Sequence, residues 1–148
     1  MFNSSFFLFF STLEITSLNL FAFMNNQFET YSFSFERMIA WKESRLLVKT
    51  IYQISSQFPK EELYSLTNQI RRAAISTSSN LAEGAGRHSS KDQAHFYQIA
   101  YSSLMELMNQ LYTSLDLNYI DEPTLSKLKK HILAISYLIN KLRKSCLS

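Results

Sequence analysis

Glycine and proline are scarce. The 148-residue chain has two of each, where an average chain of this length carries roughly ten and seven. So few breakers exclude a sandwich or barrel of short strands joined by tight turns. A single cysteine excludes an internal disulfide framework and a cysteine-built zinc site. No Lys or Arg occurs in the first 34 residues. A secretory signal needs a basic start, an unbroken apolar run and a small-residue cleavage site. Here the run 6–10 is short, and Ser11, Thr12 and Glu14 follow it. No stretch of about 18 uncharged apolar residues exists, so no spanning helix is expected. An amphipathic membrane anchor would need a basic polar face, which this segment lacks.

What is present is unevenly placed. Residues 1–34 hold nine of the twelve phenylalanines and two acids, Glu14 and Glu29. Residues 35–148 hold all 15 bases against 10 acids, a net of +5. The front segment has neither helical period nor charge balance. It is expected to lie outside the fold, with Met24 as a candidate later start, and residues 35–148 are expected to form the domain.

Pro59, the pair Gly84/Gly86 and Pro123 cut that domain into four segments of helical length. Helix one is expected over residues 36–57, with Leu47, Val48, Ile51, Ile54 and Phe58 at spacings of three and four. Helix two should follow Pro59, with Glu61 and Glu62 in its first turn. Leu63, Leu66, Ile70, Ala73, Thr77 and Leu81 form its inner face, and Gly84 is expected to stop it. Helix three opens on Ser90-Lys91-Asp92-Gln93, a capping-box pattern. Its inner face reads Phe96, Ile99, Ala100, Ser103, Leu107, Leu111 and Ser114. Helix four begins after Asp121, with Pro123 in its first turn; Leu125, Leu128, Ile132, Ile135, Ile139 and Leu142 carry it. Four such helices with short loops predict an all-α, antiparallel up-down-up-down bundle.

Four constellations stand out. Gln69, Arg72, Ser76, Asn80 and Glu83 form a polar stripe on helix two. It reads either as a ligand pocket or as a hydrogen-bonded seam fixing bundle register or a subunit contact. The seam is favoured, because no metal or nucleophile spacing accompanies the stripe. Arg71, Arg72, Arg87, His88 and Lys91 form a basic group that could meet phosphates or stand as solvated cations. Lys127, Lys130, Lys141 and Lys144 fall within about 100° of helix four. Such an arc is usually a wet face, and it also suits weak, salt-dependent RNA attraction. Tyr97, Tyr101, Met105, Met108 and Tyr112 adjoin the inner face of helix three and widen its apolar arc to about 240°. That surplus points to an oligomer interface, with base stacking as the alternative.

The remaining chemistry-bearing residues are unremarkable in pattern. His88, His95 and His131 have no third ligand at metal spacing, and no His-Glu-x-x-His, phosphate loop or Gly-x-Ser-x-Gly occurs. Glu83 and Glu106 could approach each other across helices two and three; such a carboxylate pair can do acid–base work, but a structural partnership with Arg72 is favoured. Cys146, placed at a frayed terminus, is consistent with a reducing compartment. No catalytic residue, cofactor or metal is expected.

The ordered set Phe35-Glu36-Arg37-Met38-Ile39-Ala40-Trp41, Phe58-Pro59, Gln69-Ile70-Arg71-Arg72-Ala73-Ala74 and Ser79-Asn80-Leu81-Ala82-Glu83-Gly84 resembles a known family. Phe96, Ala100, Ser103-Leu104 and Glu106 continue it. The family is the four-helix-bundle proteins encoded by intervening sequences in bacterial 23S ribosomal RNA genes, and the resemblance covers about residues 35–144. It implies a small cytoplasmic bundle, ring-like pentamers and no established catalytic activity. The expectation is therefore a non-enzymatic oligomeric scaffold that partners itself and RNA or an RNA-handling protein. The alternative is a ligand-binding or catalytic bundle that uses the polar stripe on helix two.

Overall fold

Apolar residues three and four apart place the helices, and small residues set how closely they pack. The computed structural model describes residues 17, 19–22, 24 and 31–147. The chain separates into two units, residues 1–33 and 34–148. In the first, residues 17, 19–22 and 24 are helical and exposed, and the Tyr31 and Phe33 rings meet edge-on at 5.2 Å. Most of the segment expected to lie outside the fold falls outside the described residues.

The second unit is a helical bundle of four long helices: α1 Ile39–Ser55, α2 Leu66–Ala85, α3 Ser90–Asp116 and α4 Glu122–Leu147. Short 3-10 segments, Ser34–Arg37 and Lys60–Tyr64, precede α1 and α2. No strand occurs among the described residues. Buried positions repeat as the sequence spacing requires: Ala40, Ser44, Leu47, Ile51 and Ser55 on α1, and Leu125, Leu128, Ile132, Ile135 and Ile139 on α4. Cross-helix pairs run in opposite order along neighbours. Ser76 meets Ser103, while Gly84 faces Tyr97; Gln93 meets Cys146, while Tyr112 faces Lys129.

The ends of the helices differ from the sequence reading, each for a local reason. Helix one starts later than expected, because residues 34–37 take the tighter 3-10 form before α1 begins at Ile39. After Pro59 the chain again forms a 3-10 segment, and Ser65 (ψ −109°) breaks it from α2. The three-residue period of that segment turns Leu63 outward, where it is 47% exposed. Glu62 then reaches forward as a cap: its carboxylate accepts from the Leu66 N–H at 3.2 Å and from the Ser65 hydroxyl, and Tyr119 Oη donates to it at 3.2 Å. The cap of α3 is Ser89, one residue before the expected Ser90; its hydroxyl accepts from the Asp92 N–H at 3.0 Å. Gln93 does not close a capping box but donates to the Arg87 carbonyl at 2.8 Å. Cys146 is not frayed: it lies within α4, partly buried.

Gly84 does not end α2, which runs through Ala85. It is a point of close approach instead. A Cβ there would stand 2.7 Å from Tyr97 Cε1 and 3.1 Å from Phe96 Cβ. The sequence reading placed Phe96 inside and Tyr97 in the outer arc. In the structure Tyr97 is the buried one, 5% exposed, because the space left by the missing side chain admits its ring, and Phe96 is half-buried. Leu104, fully buried, also belongs to the inner face. Burial, with the nearby Cys146 thiol, holds the Tyr97 phenol above its usual titration range.

Helix α3 ends on Asn118 at φ 59°, a conformation Asn tolerates better than most residues. Its N–H donates to the Leu115 carbonyl at 2.8 Å and the next N–H, of Tyr119, to the Ser114 carbonyl at 2.8 Å. This is a Schellman closure. Asp121 then caps α4 by accepting from the Thr124 N–H at 2.9 Å.

Two predictions follow from these contacts. Gly84→Ala should cost about 1–3 kcal/mol through overpacking and lower Tm by several degrees. Combining it with Tyr97→Leu should cost less than the sum of the single losses, because the two share one space. A Gly84→Ala protein that melts with wild type would refute the close contact. The second prediction concerns acid. The bonds from Ser65 and Leu66 lower the Glu62 carboxyl below its ordinary value. Its contribution is therefore complete at neutral pH and is lost as pH falls through that lowered value. The Tm difference between wild type and Glu62→Gln should shrink on acidification; a constant difference from neutral to acid pH would contradict this.

Candidate functional site

The polar stripe on α2 is resolved into three parts. Its centre is a seam: Asn80 Nδ2 donates to the Ser76 carbonyl at 2.8 Å and to Ser76 Oγ at 3.1 Å. Ser76 Oγ meets Ser103 Oγ at 2.9 Å across to α3, and Ser103 donates to the Ile99 carbonyl at 3.0 Å. At the N-terminal side, Gln69, Arg72 and Ser76 line a small recess with Glu106, about 120 Å³ in volume. At the C-terminal side, Glu83 pairs with Arg87, one turn on. No Glu83–Arg72 pair is formed; Arg87, in the turn that follows α2, takes the Glu83 carboxylate instead. Glu106 shares a recess with Arg72 and accepts from Gln110 at 3.1 Å.

The basic group does not converge. Arg71 Nε donates to Ser55 Oγ at 2.8 Å, and its guanidinium lies over the Tyr52 ring at 4.8 Å. Arg87 lies over Phe96 at 4.4 Å besides pairing with Glu83. Arg45 covers Trp41 at 4.7 Å in the same manner. These flat cations stack on rings of their own domain. Arg72 and Lys91 are exposed, on different helices.

The α4 lysines behave otherwise. Lys127, Lys130, Lys141 and Lys144 are all exposed. None makes an ion pair among the described residues. Lys129 differs from them: it lies over the Tyr112 ring at 5.8 Å, and a hydrogen bond to that phenol raises its pKa. The outer face also carries Tyr137, 68% exposed, and Leu133, 57% exposed. The sequence reading missed both. The available signal was spacing: Tyr137 lies seven residues from Lys130 and seven from Lys144, two turns each way on one face.

The apolar arc of α3 is largely absorbed by the bundle. Beyond Tyr97, the side chains of Tyr101, Met105 and Met108 are half-buried and pack on the core. Tyr112 alone of this set is exposed, at 41%. The broad arc reflects the position of α3 between α2 and α4, both of which it packs against extensively.

The seam between α1 and α4 is more open. It holds a groove of about 300 Å³ lined by Met38, Ile39, Ala40, Leu138, Leu142 and, at its outer side, Lys141, and a second of about 440 Å³ near Thr50, Thr124, Lys127 and His131. Glu43 Oε2 and His131 Nε2 bridge the seam at 2.9 Å. No group of three or more His, Cys, Asp or Glu side chains is placed to hold a metal among the described residues. Nor is any described helix long and apolar enough to cross a membrane.

Residues 36–141 match the family model described as 23S rRNA-intervening sequence protein. Comparison with curated proteins finds no match.

The seam is open to a direct energetic test. Ser76→Ala and Ser103→Ala should each lower stability, and a double-mutant cycle should return a coupling of about 1 kcal/mol. Zero coupling by thermal or urea unfolding would show that the stripe contributes nothing to holding α2 against α3.

Proposed function

We propose, from the premise that the chain belongs to the 23S rRNA-intervening sequence protein family, that it is a non-enzymatic helical scaffold that associates with RNA through the outer face of α4. The observation that carries this reading is the contrast among its cations. Arg45, Arg71 and Arg87 are held against rings of the domain itself, while four of the five lysines of α4, Lys127, Lys130, Lys141 and Lys144, are exposed and make no ion pair among the described residues. Free ammonium groups on one face are what counterion release from a phosphate backbone requires. What favours a scaffold over a catalytic bundle is the use made of the α2 stripe. Asn80, Ser76 and Ser103 direct their hydrogen bonds to one another and to backbone carbonyls. A cytoplasmic location belongs to the same reading.

Self-association is the second element of the proposal. The bundle leaves Tyr112 on α3 in water, and Ile39 and Leu46 on α1 are 64% and 54% exposed. Covering such side chains in a second copy removes apolar area from water, and the family resemblance implies a pentamer. Light scattering at micromolar concentration should give a mass several times that of the chain. A monomer would remove this element and leave the RNA reading standing.

The RNA reading is tested by titrating unlabelled protein into labelled RNA at several salt concentrations. Four phosphate contacts give a log–log slope of about −3 to −4. Lys130→Glu with Lys141→Glu should weaken binding and cut the slope by about half. Binding that ignores salt, or a double variant that binds as wild type, would contradict it.

A further inference from the structure

Tyr137 has no structural role that its surroundings explain. Its ring is two-thirds exposed and makes no ring or cation contact among the described residues. The other exposed tyrosines of the bundle are placed differently. Tyr52 lies under Arg71 and Tyr112 under Lys129, and Tyr64 follows Glu61 and Glu62 in the 3-10 segment, where negative charge repels phosphate.

The neighbours of Tyr137 are cations. At about 100° per residue, Lys130 and Lys144 lie some 20° to either side of it around α4, and Lys141 about 40° away. At about 1.5 Å per residue, Lys130 and Lys144 stand roughly 10 Å along the axis in each direction, and Lys141 roughly 6 Å. An aromatic face is thus centred in a strip of ammonium groups, with Leu133 beside it. A strip of lysines alone would read phosphates of any nucleic acid. An open ring between them adds a surface on which a base can stack, and only an unpaired base offers its face.

We propose that Tyr137 is a stacking platform and that the ligand of the α4 face is single-stranded RNA. This rests on the RNA reading above and specifies the substrate class. The lysines hold the backbone on both sides, and the phenol ring takes one base between them.

The test uses fluorescence anisotropy with a labelled, unstructured 20-nucleotide RNA and with the same strand annealed to its complement. The full chain is compared as wild type, Tyr137→Ala, Tyr137→Phe and Lys130→Glu/Lys141→Glu. Because Tyr137 is exposed, circular dichroism should be the same for all. Wild type should bind the single strand more tightly than the duplex at equal salt. Tyr137→Ala should lose roughly 5- to 150-fold on the single strand, with little change on the duplex and no change in salt slope. Tyr137→Phe should retain wild-type affinity. If Tyr137→Ala binds as wild type while the lysine variant is weakened, stacking is wrong and the electrostatic reading survives. If wild type binds neither RNA, both fall. Equal affinity for the two RNAs, or a change in assembled mass on Tyr137→Ala, would also overturn the proposal, the latter by placing the ring in a protein contact.

Discussion

The close approach of α2 to α3 is the constraint on which the rest of the bundle depends. At one end Gly84 leaves room for the Tyr97 ring; further along, Ser76 and Ser103 meet hydroxyl to hydroxyl. Small side chains bring two helix backbones together, and a glycine facing an aromatic ring fixes their register as well as their distance. With Tyr97 drawn inward, α3 turns its remaining large residues, Tyr101, Met105 and Met108, onto the core. The tight seam on one side is balanced by an open one on the other. There α1 and α4 leave apolar grooves between them, and among the described residues Glu43 and His131 form the polar bridge that joins them.

The cations divide along the same geometry. The planar guanidinium groups of Arg45, Arg71 and Arg87 lie over aromatic rings of α1 and α3. Ammonium groups are compact and strongly hydrated, and they remain in water unless something specific holds them. Among the described lysines of α4, Lys129 is so held, over Tyr112. The result is a domain whose basic residues are of two kinds. Arg45, Arg71 and Arg87 are held against rings of the fold, and Lys127, Lys130, Lys141 and Lys144 stand exposed on α4.

The breakers and the three-four spacing made the fold legible in the sequence. Four helices follow from Pro59, Gly84/Gly86 and Pro123, and the inner faces of α1 and α4 are nearly as the pattern requires. What the pattern could not show was contact across helices. Gly84 looked like a stop because its meaning lies in Tyr97, thirteen residues away. Leu63 looked buried because a 3-10 segment has a different period from the helix it precedes. The polar stripe was legible as a stripe, and its division into seam, recess and ion pair depended on Ser103, Glu106 and Arg87. Arg71 looked available because its partners, Ser55 and Tyr52, lie on another helix. Tyr137 was visible at the right spacing but was hidden among core positions of similar chemistry.

On the proposed reading the outer face of α4 takes RNA, while the hydrogen bonds of α2 hold the bundle together. Chemical-shift mapping separates these roles in one experiment. Unlabelled single-stranded RNA is titrated into the isotopically labelled full chain, and backbone amide signals are followed. Shifts should concentrate at residues 127–144, with the Ser76, Asn80 and Ser103 amides unmoved. Shifts centred on Gln69, Arg72 and Glu106, with α4 silent, would contradict the proposal and make the α2 recess the binding site.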